Sequence, residues 1–103
     1  MPKPPARRTI TVSRGETTTH EPDCLPPECA YIKVEMRGFA PNTDYQIAPW
    51  SSEHGNFNPG ARLTTDAEGN LTARHRFPYN GIDDTVWVVV DGQRSNRLVW
   101  SLE

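Results

Sequence analysis

Residues 85–100, TVWVVVDGQRSNRLVW, form the most apolar run of the sequence, and a turn signal interrupts this run. Residues 86–90 are β-branched or aromatic throughout, which suits a pleated, buried surface. Asp91-Gly92 follows at once, and Asp-Gly between apolar runs predicts a β-hairpin. The period of two in a strand predicts its two faces: Val86, Val88 and Val90 on one, Trp87 and Val89 on the other. A strand that is apolar on both faces is either central in its sheet or covered by a partner.

The rest of the chain repeats short strand patterns between turn signals. Residues 30–37 alternate apolar and polar side chains, which indicates a half-buried strand of an antiparallel sheet. Pro49 is expected to stop the third strand or to place it at an edge. The predicted strands are 9–13, 30–37, 43–48, 61–65, 71–77, 85–90 and 97–100. With no helical periodicity, this pattern predicts an all-β fold, a single immunoglobulin-like antiparallel β-sandwich of about seven strands.

The length and charge of the chain narrow its organisation and its partners. A sequence of 103 residues predicts one domain, and a net charge of −2 gives no global field that would attract nucleic acid. No apolar run approaches the roughly 20 residues of a membrane helix. The N-terminus has no apolar h-region, so it does not predict a secretory signal. We therefore expect no nucleic-acid partner and no membrane insertion, in a chain that either works without such export or is a fragment with an added Met.

The N-terminal residues differ from the remainder. Residues 1–8 predict a basic, Pro-rich extended arm, and residues 9–103 predict the sandwich domain. Lys3, Arg7 and Arg8 have no acidic neighbour in the arm. The arm is therefore either a solvated tail or a segment that lies along an acidic partner surface.

Cys24 and Cys29 lie in the segment DCLPPEC. A zinc site would need two further Cys or His at suitable spacing, and the three His residues are scattered. Two Pro between the Cys favour a tight bend that brings the sulfurs together. A disulfide is the first reading and two free thiols the second. A disulfide would imply an oxidising place of work.

No set of residues in the sequence demands catalysis. His75 and Asp66 fall on one predicted hairpin, but no nucleophile is placed beside them. The acidic pairs Asp83-Asp84 and Asp66/Glu68 lack the spacing of a calcium loop. We therefore expect a protein that is not an enzyme and that has no cofactor and no metal.

Large aromatic side chains provide the second set of candidate partner contacts. Three Trp do not all fit easily in the centre of so small a domain. Aromatic residues are enriched at the centres of protein interfaces. Either at least one of Trp50, Phe57 and Trp100 packs on a partner, or all three cap the open ends of the sandwich.

Four segments resemble a known family in their order along the chain. These are CLPPECAYIKV, GFAPNTDY, TTDAEGN and VWVVVDGQRSN, which together lie within residues 24–96. They resemble the immunoglobulin-like β-sandwich modules of actinobacterial surface proteins and actinobacteriophage virion proteins. The resemblance implies a non-catalytic module at a cell or virion surface. Such modules often carry a second Cys pair near the positions of Pro49 and Phe77, and this chain lacks it.

The sequence leads to ranked hypotheses of function. The first is a virion accessory of an actinobacterial phage, a capsid decoration or minor structural protein located at the virion surface. The second is an extracytoplasmic binding or sensor domain of a secreted or membrane-anchored actinobacterial protein. The expected partner is a capsid or cell-surface protein, with a surface glycan as a further candidate. A glycan-acting enzyme is the third and weakest hypothesis.

Overall fold

The structure is a computed structural model that describes residues 8–18 and 24–101. Within these ranges the chain is all-β, with no α-helix, and the predicted class is confirmed. Among the described residues, no helix is long enough and apolar enough to cross a membrane. The described strands are β1 Thr9–Thr17, β2 Ala30–Arg37, β3 Asp44–Ser51, β4 Ala61–Thr64, β5 Leu71–Ala73, β6 Pro78–Tyr79, β7 Thr85–Val90, β8 Gln93–Arg94 and β9 Leu98–Val99.

These strands form two antiparallel sheets. The first has the order β1-β2-β5, and β6 also pairs with β2. The second has the order β4-β3-β7-β8, and β9 also pairs with β7. Buried side chains from both sheets belong to one hydrophobic cluster, so the architecture is sandwich-like.

The predicted faces of β7 are confirmed. Val86, Val88 and Val90 are fully buried, whereas Trp87 and Val89 on the other face are half-buried. The strand is central, because β3 lies on one side of it and β8 and β9 lie on the other. Its inner face therefore supplies the core, and its outer face is left with apolar side chains that the core does not use.

The hairpin turn after β7 has the predicted chemistry. Asp91 has a φ of 50° and Gly92 a φ of 76°, both in the left-handed region. Positive φ at both central residues defines the type I′ turn that best matches the twist of antiparallel strands. Val90 and Gln93 flank the turn as direct cross-strand partners, so the hairpin loop has two residues.

Pro49 shows why β3 is longer than predicted. The strand continues through Pro49 to Ser51, although it lies between two neighbours. β4 pairs only with residues 44–47, so β3 at Pro49 has β7 on one side and no strand on the other. The missing N–H of proline costs no ladder hydrogen bond at such a local edge.

Other strand boundaries differ from the prediction. β1 runs past Gly15 to Thr17, with a register shift between Arg14 and Thr17 that lets the chain continue along β2. Pro78 and Tyr79, which lie outside the predicted strands, pair with the start of β2. The hairpin predicted around Asp66 and His75 does not form, because β4 pairs with β3 and β5 pairs with β2 in the other sheet. Local turn residues gave no signal for these pairings, because long-range strand contacts decide them.

One edge of the sandwich is closed by side-chain hydrogen bonds to the backbone. The N–H of Val12 in β1 donates to Asn96 Oδ1 at 2.7 Å, and Asn96 Nδ2 donates to the Val12 carbonyl at 3.2 Å. The Gln93 side chain donates to the Arg8 carbonyl at 3.1 Å. These bonds connect the edge of the first sheet to the last hairpin of the second.

Candidate interaction surface

The outer face of the second sheet carries two adjacent tryptophans. Trp50 in β3 and Trp87 in β7 are direct cross-strand partners, and Ala48 pairs in the same way with Val89. Opposed side chains in an antiparallel pair have Cβ atoms about 4.5–5.5 Å apart. Trp50 is 36% exposed, which is unusual for so large an apolar side chain.

A shallow depression lies on this surface. Its volume is about 340 Å³, and its lining includes Trp50, Trp87, Val89 and Arg94. The guanidinium of Arg97 lies 5.7 Å from the centre of the Trp87 ring, within cation–π distance. We name these five residues, Trp50, Trp87, Val89, Arg94 and Arg97, the tryptophan face.

The electrostatics of the tryptophan face are cationic. Arg94 and Arg97 form no ion pair with any residue in the described ranges 8–18 and 24–101. On β3 and β4 of the same sheet, Arg62 forms an ion pair with Asp44 at 3.5 Å. The pKa of Asp44 is lowered mainly by the hydrogen bond from Thr64, and Arg62 adds to the effect. The face therefore offers aromatic area together with two positive charges that no described residue pairs.

Two of the predicted partner-binding aromatics lie elsewhere. Phe57 is half-buried, and its ring centre lies 4.8 Å from that of Tyr79. Trp100 is fully buried, packs edge-on against Tyr79 at 5.7 Å, and donates from Nε1 to the Glu28 carbonyl at 3.2 Å. We therefore reassign Trp100 from the partner-binding set to the core. The reason is that the last strand turns its side chain inward between the sheets.

Tyr79 organises this internal aromatic cluster. Its hydroxyl donates to the Asp84 carboxylate. Burial, followed by the hydrogen bond to Asp84, raises the pKa of Tyr79 to about 12. The protonated phenol therefore keeps its hydrogen bond to Asp84 at neutral pH.

The basic arm is represented in the structure by Arg8. Its guanidinium forms an ion pair with Asp91 at 3.0 Å and reaches the Tyr45 hydroxyl at 3.4 Å. The hydrogen bond to Asp91 is the main cause that raises the pKa of Arg8. These contacts hold Arg8 on its own domain rather than in open solvent. Lys3 and Arg7, the other predicted arm cations, lie outside the described residues.

Cys24 and Cys29 form a disulfide, with their Cα atoms 5.3 Å apart. Cys29 N–H donates to the Leu25 carbonyl at 3.0 Å, and Thr18 Oγ1 donates to the Cys24 carbonyl at 2.8 Å. The closed tip presents Leu25, which is 66% exposed. The bend is therefore closed by the disulfide and by an internal hydrogen bond, and Thr18 connects it to the end of β1.

Replacing both cysteines, Cys24→Ser with Cys29→Ser, is expected to leave the sandwich folded and to reduce stability by about 2 kcal/mol. The loop that the disulfide closes is short, so the loss of chain entropy in the unfolded state is small. Thermal unfolding should then shift downward by several degrees. Mass spectrometry of the protein from its native source, alkylated without reduction, provides the control. Two alkylated thiols there would contradict the disulfide.

The described residues contain no group of three or more His, Cys, Asp or Glu that could hold a metal ion. No family model, no curated protein and no solved structure matches the chain. The resemblance to actinobacterial modules therefore stays a prediction.

Sequence reasoning selected Trp50, which is 36% exposed, as a candidate partner contact, but it did not select Trp87, Arg94 or Arg97 as its neighbours. The signal for Trp87 was present, since β7 is apolar on both faces. The register that places Trp87 beside Trp50 was not readable from either strand alone.

Proposed function

We propose that this chain is a non-catalytic structural or binding module that docks on a protein partner through the tryptophan face. The observation that carries the proposal is the pairing of Trp50 and Trp87 on an outer sheet face beside two arginines that form no ion pair with a described residue. Tryptophan and arginine are the residues most enriched among those that dominate binding energy at interfaces. A small domain that leaves such side chains outside its core gains stability when a partner covers them.

The proposal includes an immunoglobulin-like arrangement of the strands. β1 pairs along all of β2, so β5 and β6 both lie on the other side of β2 and act as one interrupted strand. By the same reasoning β8 and β9 are one interrupted strand beside β7. Counted in this way, the described residues form seven strands in sheets of three and four, which suits an immunoglobulin-like sandwich.

The biological setting we propose is the virion of an actinobacterial phage, where the module is a capsid decoration or minor structural protein. The family resemblance of the turn and hairpin motifs supports this setting, by analogy of fold. A second candidate is an extracytoplasmic binding or sensor domain of an actinobacterial secreted or membrane-anchored protein. The Cys24–Cys29 disulfide favours that candidate, because such bonds persist in oxidising compartments.

The double variant Trp50→Ala with Trp87→Ala should reduce binding to purified source particles by at least about 30-fold, as expected for the loss of a hot spot. Co-sedimentation of the labelled, purified chain with these particles measures the effect. Leu25→Ser provides a matched control, because Leu25 is an exposed apolar residue on a different surface. Equal loss in both variants would contradict the assignment of the face. Recovery of the native chain only from culture supernatant, free of particles, would favour the second candidate.

A further inference from the structure

The two edges of the sandwich differ. Asn96 closes the edge formed by β1 and the last hairpin, as described above. At the opposite edge, β4 pairs only with β3, and β5 pairs only with β2, among the described strands. Between them lies an open groove of about 520 Å³, lined on one side by residues 63–64 and on the other by residues 71–76.

The outer edge of β4 lies beside this groove, and no described strand pairs with it. Thr65 N–H donates to the Thr43 carbonyl at 3.0 Å, so these residues form a hydrogen-bonded pair. Such pairs alternate with non-bonded pairs along an antiparallel ladder. In this register Asp44 lies opposite Thr64 and Gln46 lies opposite Arg62, and both are non-bonded pairs. The N–H and C=O groups of Thr64 and Arg62 therefore point away from β3. An exposed edge of this kind is a template for one more strand.

The side chains around the groove set the character of that strand. Arg74 and Arg76 are exposed, and neither forms an ion pair with a described residue. His75 between them is held by Glu16 at 3.0 Å. Leu63 is half-buried, and Leu71 is 9% exposed, so the floor of the groove is apolar.

We propose that this groove binds an extended acidic peptide segment of a partner protein, which adds to β4 as a further strand. Only a polypeptide backbone offers donors and acceptors at the spacing of a strand edge. Acidic side chains of the segment pair with Arg74 and Arg76, and its alternate apolar side chains pack on Leu63. This site is distinct from the tryptophan face, so it stands or fails independently of the proposed function.

A labelled ten-residue peptide of alternating Glu and Val tests the proposal, and a peptide of alternating Lys and Val is its control. Fluorescence anisotropy with the full chain should show saturable binding of the acidic peptide only. Amide hydrogen exchange at Arg62 and Thr64 should slow by at least about tenfold when the peptide is bound, because these groups become hydrogen-bonded. Absence of binding, or slowed exchange only in β7 and β8, would overturn the proposal.

The variant Arg74→Glu with Arg76→Glu should weaken the acidic peptide by at least about tenfold, because it reverses both charges of the rim. The double variant Arg94→Glu with Arg97→Glu is the matched control. Each double variant replaces two positive side chains by negative ones, so each takes the net charge of the chain from −2 to −6. This control should change the affinity by less than about twofold. Equal weakening by both pairs would mean non-specific attraction and would overturn the site.

Discussion

Trp100→Ala is expected to reduce the free energy of unfolding by about 3–5 kcal/mol, the range for truncating a large buried aromatic side chain. Trp100 is fully buried, its ring packs against Tyr79, and its indole N–H bonds to the Glu28 carbonyl. Truncation removes this packing and the hydrogen bond to the Glu28 carbonyl, which keeps Arg14 Nη2 as a donor at 3.3 Å. Domains of this size have a net stability of only about 5–15 kcal/mol, so the variant loses a large share of it.

Trp50→Ala is the matched control, because it makes the same chemical change at a side chain that is 36% exposed. Its cost should stay below about 1 kcal/mol. Guanidinium unfolding of both variants, with the slope and the midpoint fitted separately, gives the comparison. If Trp100→Ala is too unstable to purify, Trp100→Phe keeps a ring but removes the donor, and should cost about 1–3 kcal/mol. Equal losses at positions 100 and 50 would contradict the assignment of Trp100 to the core.

The contrast between these two tryptophans shows what local sequence predicts and what it does not. Both were predicted as candidates for a partner, because three Trp do not all fit easily in the centre of so small a domain. The inward or outward direction of a strand residue changes with every single shift in register. Trp100 points inward because β9 pairs Leu98 with Val86 and Val99 with Thr85. This register is shifted by one residue from that of the hairpin, which pairs Val90 with Gln93 and Val89 with Arg94.

The parts of the fold that were predicted well are those in which local and global preferences agree. β2 begins and ends where its alternating pattern does, and β7 has the predicted faces. The predicted hairpin at Asp91-Gly92 needs positive φ at Gly92, and it has this conformation. Each of these signals lies within a few residues of the feature that it predicts.

The parts that sequence reasoning missed depend on contacts between distant segments. Asn96 bonds to the backbone of Val12, 84 positions away, and nothing near Asn96 in the chain indicates that role. The groove between β4 and β5 likewise exists because two strands from different sheets both lack an outer neighbour. The basic residues Arg74 and Arg76 could be read from the sequence, but the open edge of β4 among the described strands could not. The candidate sites therefore required the topology, whereas the fold class did not.

Gly69→Ala is expected to reduce the free energy of unfolding by at least about 3 kcal/mol, whereas Gly92→Ala should cost about 1–2 kcal/mol. Both glycines have positive φ, 79° and 76°, so alanine introduces similar backbone strain at each. They differ in the space around a new Cβ. At Gly69 it would lie 2.0 Å from the Phe39 carbonyl oxygen, and at Gly92 it would meet no atom within 4 Å.

The backbone at Gly69 must therefore move, and the movement disrupts the hydrogen bond from Phe39 N–H to the Gly69 carbonyl, which is 3.1 Å long. That bond joins the turn after β2 to the turn between β4 and β5, so its loss loosens the buried Phe39 at the end of the core. Chemical unfolding of both variants measures the difference, and amide exchange at Phe39 reports the broken bond. Equal destabilisation of the two variants would mean that strain alone acts at both turns, and that the close approach of Gly69 to Phe39 does not stabilise the fold.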